Sequence, residues 1–177
     1  MAKFSLIPFD VNAAPSITIE SELNTNNESV FISYRLTGDL GSIDMGPETP
    51  KHARVLKLWE KTCFELFMKG PGETYMEFNF SLCFEWNCFL FEKLRGPIVE
   101  YKKIDLLKFD ILLSNDVVHA IIEIDKKKFP DSFFKEKLLV GITSVIKEED
   151  GRFSYWALSH KDIKPNFHDP RSFVGFL

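Results

Sequence analysis

Short runs that alternate apolar and polar residues recur along the chain, and a period of two marks a strand with one buried face. In Val30-Phe31-Ile32-Ser33-Tyr34-Arg35-Leu36, the set Val30, Ile32, Tyr34 and Leu36 reads as core-facing, Ser33 and Arg35 as outward, and Thr37-Gly38-Asp39 ends the run. Cys63 to Lys69 and Tyr75 to Ser81 flank the turn-rich string Gly70-Pro71-Gly72-Glu73-Thr74, which predicts a hairpin. Further strands are expected near Phe4 to Pro8 and at Ile17 to Leu23, Trp86 to Phe91, Phe109 to Ser114, Val117 to Asp125, Leu138 to Lys147 and Phe153 to Leu158. Asn115-Asp116 and Glu149-Asp150-Gly151 supply tight turns between them. Many short strands at regular spacing predict an all-β chain, an antiparallel sandwich or barrel. Helical signal is confined to a turn or two within Pro50 to Lys61 and a short connector over Pro130 to Lys137.

Composition sharpens this reading. The chain has 177 residues, enough for one core, so residues 1–177 are expected to form one domain. Its 18 Phe favour strands and bring large apolar area. The formal charge of -4 and scattered basic residues leave no stripe to follow a phosphate backbone, which argues against nucleic acid. Lys126-Lys127-Lys128 reads as a solvated loop. No stretch approaches the roughly 18 apolar residues of a membrane span, and no secretory leader is read, so a cytoplasmic protein is expected. Cys63, Cys83 and Cys88, an odd number without zinc-site spacing, read as reduced, buried thiols. No metal or cofactor is expected.

The central hairpin carries the candidate chemistry. Alternation puts Phe64, Leu66, Met68, Met76, Phe78 and Phe80 toward the core, and Glu65, Glu77 and Asn79 in a polar row with Phe67 and Tyr75 on the opposite face. Such a row is commonly just solvated. Mixed with aromatics, however, it is the surface a sugar site needs, because rings stack on pyranose faces while carboxylates and amides bond hydroxyls. Of Trp59, Trp86 and Trp156, two are expected inside the core, the commoner use of so large a group.

The strings Leu58-Trp59-Glu60-Lys61-Thr62-Cys63-Phe64-Glu65-Leu66-Phe67 and Tyr75-Met76-Glu77-Phe78-Asn79-Phe80-Ser81 resemble bacterial DOMON-like proteins similar to family 9 carbohydrate-binding modules. Tyr34-Arg35-Leu36-Thr37-Gly38-Asp39 matches near the start. Tyr155-Trp156-Ala157-Leu158-Ser159-His160, Lys164-Pro165-Asn166-Phe167-His168-Asp169-Pro170 and Ser172-Phe173 match the closing segment. The resemblance implies a β-sandwich that binds a small ligand, a saccharide or sugar-like metabolite, without catalysis. It further implies Trp59 and Trp156 as stacking groups and Glu65, Glu77, Asn79 and Arg35 as polar contacts. One departure stands out: relatives carry a Ser-Pro-Ser-Gly type turn before a Trp, and this chain has Ser81-Leu82-Cys83-Phe84-Glu85-Trp86.

Three other readings compete. DOMON relatives that hold haem would need a Met and a His, here Met45 or Met68 with His160 or His168. As members of the tail strings, the two histidines read first as loop anchors through ring-nitrogen hydrogen bonds. A glycosidase would use Glu65 and Glu77 as paired carboxylates. An interaction module would use exposed sheet edges and aromatics to meet another polypeptide or a second copy of the chain.

Overall fold

The computed structural model describes residues 2–47, 49 and 51–177 and shows an all-β sandwich. Its strands are β1 (Ala2–Ser5), β2 (Ile7–Pro8), β3 (Ile17–Thr25), β4 (Ser29–Gly38), β5 (Ala53–Arg54), β6 (Cys63–Lys69) and β7 (Tyr75–Ser81). They continue with β8 (Glu85–Phe91), β9 (Val99–Glu100), β10 (Leu106–Leu113), β11 (Val117–Asp125), β12 (Leu139–Lys147), β13 (Phe153–Ala157) and β14 (Gly175–Phe176). One sheet has the order β1-β3-β4-β11-β10. The other runs β2-β13-β12-β6-β7-β8-β5, with β14 on β12 and β9 on β8. Pairing is antiparallel except for the short β5–β8 contact.

Alternation explains the main core. On β4, Val30, Ile32, Tyr34 and Leu36 are buried, and they meet Phe64, Leu66, Met68, Met76, Phe78 and Phe80 from β6 and β7 between the sheets. Each such side chain contributes about 1.5–3 kcal/mol of burial. Tyr34 also ties the sheets together with a polar bond. Its ring stacks on Phe64 with centroids 4.6 Å apart, and its hydroxyl donates to the Glu65 carbonyl at 2.7 Å.

The turns form where the sequence places them. Ser114 N–H donates to the Val117 carbonyl at 2.9 Å across Asn115-Asp116, and Gly70 N–H to the Thr74 carbonyl at 2.8 Å across the β6–β7 turn. Of the helical expectations, the one before Lys61 holds as a single turn and the connector over Pro130 to Lys137 needs correction. Residues 131–136 form turns and bends, and within the segment ending at Lys61 only a single 3-10 turn, Leu58–Glu60, is present; Pro50 lies outside the described residues.

The closing segment folds back over the outer face of β6 and β7. Gly141 on β12 permits this, because a Cβ there would stand 2.6 Å from the Phe173 ring. Phe173 instead lies against Phe67, centroids 5.5 Å apart. Asp169 holds the approach in shape by accepting from Arg171 N–H at 3.0 Å, and Ser172 Oγ donates to the Asp169 carbonyl at 2.6 Å. A second apolar cluster of Phe67, Tyr75, Phe89, Phe91 and Phe173 results. Both faces of β6 and β7 are therefore buried.

Removing the cross-sheet bond with Tyr34→Phe is expected to lower unfolding free energy by about 1–2 kcal/mol while the stacked ring is kept. Urea titration measures this, and an unchanged midpoint would show that the hydroxyl contributes nothing to holding β6 in place.

Candidate functional site

Outward-facing residues of β6, β7 and β8 form the floor of a cavity of about 770 Å³. Glu65 and Phe67 come from β6, Glu77 from β7, and Phe89 and Phe91 from β8. Trp59, Val145 and Tyr155 complete the wall, with Lys164 to His168 of the closing segment and Arg95, Gly96 and Ile98 of the β8–β9 loop on the remaining sides. Trp59 reaches the wall because the 3-10 turn buries Leu58 and leaves the indole half-buried, edge-on to Phe89 with centroids 6.1 Å apart.

Strand register sets the polar floor. Glu65 pairs with Asn79 across β6–β7 and with Thr143 across β6–β12, whereas Glu77 sits opposite Phe67. The two carboxyls are thus diagonal neighbours, with backbones roughly 7–8 Å apart. Glu65 is 2 % exposed, Glu77 4 % and Asn79 0 %, so the row is not solvated. Thr143 Oγ1 donates to Glu65 Oε2 at 2.8 Å, and Asn79 Nδ2 donates to Glu77 Oε1 at 2.7 Å. Asn79 lies beneath the floor and positions Glu77 without lining the cavity. His168 anchors the closing segment: its Nδ1 bonds Tyr75 Oη at 2.8 Å, and its Nε2 stands 3.7 Å from Glu77 Oε2.

Burial controls the charge of this group. It pushes the Glu65 carboxyl well above the usual carboxylate range, the neighbouring Glu77 adds to the rise, and the Thr143 hydroxyl offsets only part. Burial pushes Glu77 up to about 7 against the hydrogen bond from Asn79. His168 moves the other way, down to about 4, first through burial and then through Arg95. Tyr75 is pushed up to about 12, mainly by burial. At neutral pH the imidazole is therefore uncharged, and its approach to Glu77 is a polar contact and not an ion pair.

Two residues expected at the site lie elsewhere. Trp156 is 4 % exposed and faces the main core between the sheets, its Nε1 donating to Ser154 Oγ at 3.0 Å. Pairing of Tyr155 with Val145 turns that residue outward, so Tyr155 takes the wall position and its neighbour must point inward. Arg35 lies on the outer face of the five-stranded sheet beside Glu20 and His119, away from the cavity. Only Trp156 among the tryptophans is fully buried, since Trp86, like Trp59, keeps partial exposure, with the Arg54 guanidinium 4.0 Å above its ring. The Ser81–Trp86 turn does not rim the cavity. Of the haem candidates, Met68 is buried in the main core on the opposite face of β6 from His168, Met45 packs against that core, and His160 Nε2 bonds the Ile7 carbonyl at 3.0 Å.

Phe89, Phe91, Tyr155, Arg95 and Lys164 to Phe167 were not foreseen as lining residues. Alternation in β8 hints at the first two, since Asn87, Phe89 and Phe91 share a face. The remaining positions depend on where the loop and closing segment come to rest.

No family model matches the sequence, and no curated protein does either. Solved structures do. A provisionally named carbohydrate-binding protein of Bacteroides uniformis ATCC 8492 aligns over 98% of this chain and 84% of its own, with TM-score 0.70 and 11% identity. A family 9 carbohydrate-binding module of Caldicellulosiruptor kristjanssonii in complex with glucose aligns with TM-score 0.56 at 8% identity, over 93% of this chain and 78% of the module. Its complex with cellotriose gives the same TM-score and identity over 92% and 75%. The chain has the fold of these modules.

Raised carboxyl pKa values mean that the native state keeps protons the unfolded chain releases between about pH 4.3 and 7, so this contribution to stability is lost as pH rises. His168 opposes it only at lower pH, because below about 6.5 the unfolded imidazole gains a proton that the native one refuses until about 4. The ligand-free protein is therefore expected to melt at higher temperature as pH falls from about 8 to about 6.5, and Glu77→Gln to flatten that slope. A wild-type melting temperature constant over this range would contradict the assigned charge states.

Proposed function

We propose that the cavity is a non-catalytic binding site for a saccharide or sugar-like metabolite. The observation that carries this reading is the combination of aromatic walls with a recessed carboxyl floor. Trp59 and Tyr155, both half-buried, offer ring surface to pyranose faces, and Glu65 and Glu77 offer hydrogen bonds to hydroxyls. A volume of about 770 Å³ lies within the roughly 300–1,000 Å³ of small-molecule sites. Neighbours in fold that hold glucose and cellotriose support the ligand class.

The same floor argues against glycoside hydrolysis. That reaction needs one carboxyl as acid and another kept ionised as nucleophile or base, through environments that push their pKa values apart. Here burial pushes both Glu65 and Glu77 upward. Cys63, Cys83 and Cys88 are free and buried, which suits the reducing, cytoplasmic setting we propose.

Isothermal calorimetry with glucose and cellotriose tests the site. Trp59→Ala is expected to weaken binding at least about ten-fold, or roughly 1.4 kcal/mol, and Arg35→Ala to leave it unchanged. If Trp59→Ala binds as tightly as the wild type, the ligand sits elsewhere; if Arg35→Ala abolishes binding, the outer face of the five-stranded sheet is the better candidate.

A further inference from the structure

Glu65 and Glu77 share the cavity floor without a protein cation to balance them. Among the described residues neither forms an ion pair with Lys or Arg, and the basic group that stands against Glu77, His168, is held neutral. Burial keeps Cys63 a thiol and Tyr75 a phenol, so neither adds negative charge beside the two acids. Arg95 and Lys164 stand at the mouth, exposed, where water screens them. No group of three or more His, Cys, Asp or Glu among the described residues is placed to hold a metal ion. Among the described residues no group donates a hydrogen bond to Glu65 Oε1, although Oε2 is satisfied by Thr143. A recessed carboxylate is unfavourable unless a proton or a ligand cation neutralises it.

The walls favour the second solution once a ligand enters. Trp59, Tyr155 and Phe167 line the space with part of each ring exposed, and the electron-rich faces of such rings attract cations. Resting on the saccharide reading above, we infer that the preferred ligand is an amino sugar, its ammonium group held between Glu65 and Glu77 beneath the aromatic walls. Diagonal placement across β6–β7 puts both carboxyls on one face of the hairpin, lining the same cavity. On binding, the O–H bond of a protonated carboxyl breaks, its proton passes to the buffer, and the carboxylate formed pairs with the ligand's N–H donors.

Three β-1,4-linked trimers that differ at C2 alone provide the test: cellotriose with a hydroxyl, its glucosamine counterpart with an amine, and the N-acetylated form. Calorimetry at about pH 6.5 is expected to show the amine trimer binding at least about ten-fold tighter than the other two. Measured in two buffers of different ionisation enthalpy, it should release protons, whereas cellotriose should not. Glu77→Gln and Glu65→Gln, which preserve side-chain volume, should each bring the amine-to-hydroxyl affinity ratio close to one. Cellotriose binding as tightly as the amine trimer overturns the amino-sugar inference and leaves the saccharide site standing. If no trimer binds, both fall. Ethanolamine binding as tightly as the amine trimer overturns the inference as well, since the sugar ring would then contribute nothing.

Discussion

A hairpin buried on both faces is the constraint on which the molecule depends. One face of β6 and β7 supplies Phe64, Leu66, Met68, Met76, Phe78 and Phe80 to the space between the sheets. The other carries Glu65, Glu77 and Asn79, and it too is closed from water by the returning chain. Burial of an apolar face needs only a partner sheet. Burial of carboxyls needs hydrogen bonds and a way to shed charge, and Thr143, Asn79 and a retained proton provide these.

The closing segment links the fold to the site. Phe173 docks on Phe67 where Gly141 leaves room, and His168 reaches Tyr75. Those contacts draw Lys164 to Phe167 over the edge of the sheet and turn an open polar face into a walled cavity. The environment that raises the carboxyl pKa values is therefore created by residues distant in sequence. Tyr34 acts from below, since its hydroxyl bond to the Glu65 carbonyl crosses the core and fastens the backbone that carries the acid.

Much of this was legible in the sequence, because a period of two survives wherever one side of a strand is core. The hairpin strands β6 and β7 and strand β11 have the bounds that alternation predicts, and the core face of the hairpin is as expected. Shared-face positions for Glu65, Glu77, Asn79 and Phe67 followed from the same rule. Trp156 shows where it ends. Alternation states that Tyr155 and Trp156 point apart, yet only pairing of β13 with β12 and of β12 with β6 decides which of them faces the sheet interior.

Arg35 shows the complementary gap: its outward direction on β4 was readable, but the sheet to which β4 belongs was not. By itself the sequence determined the all-β class, the two-faced hairpin and the polar row, since these depend on neighbours along the chain. The tertiary structure alone decided that this row is buried, that Tyr155 instead of Trp156 forms its wall, and that no Lys or Arg among the described residues pairs with Glu65 or Glu77. Burial and charge balance are properties of volumes enclosed by distant segments, and their assembly is not encoded in any local period.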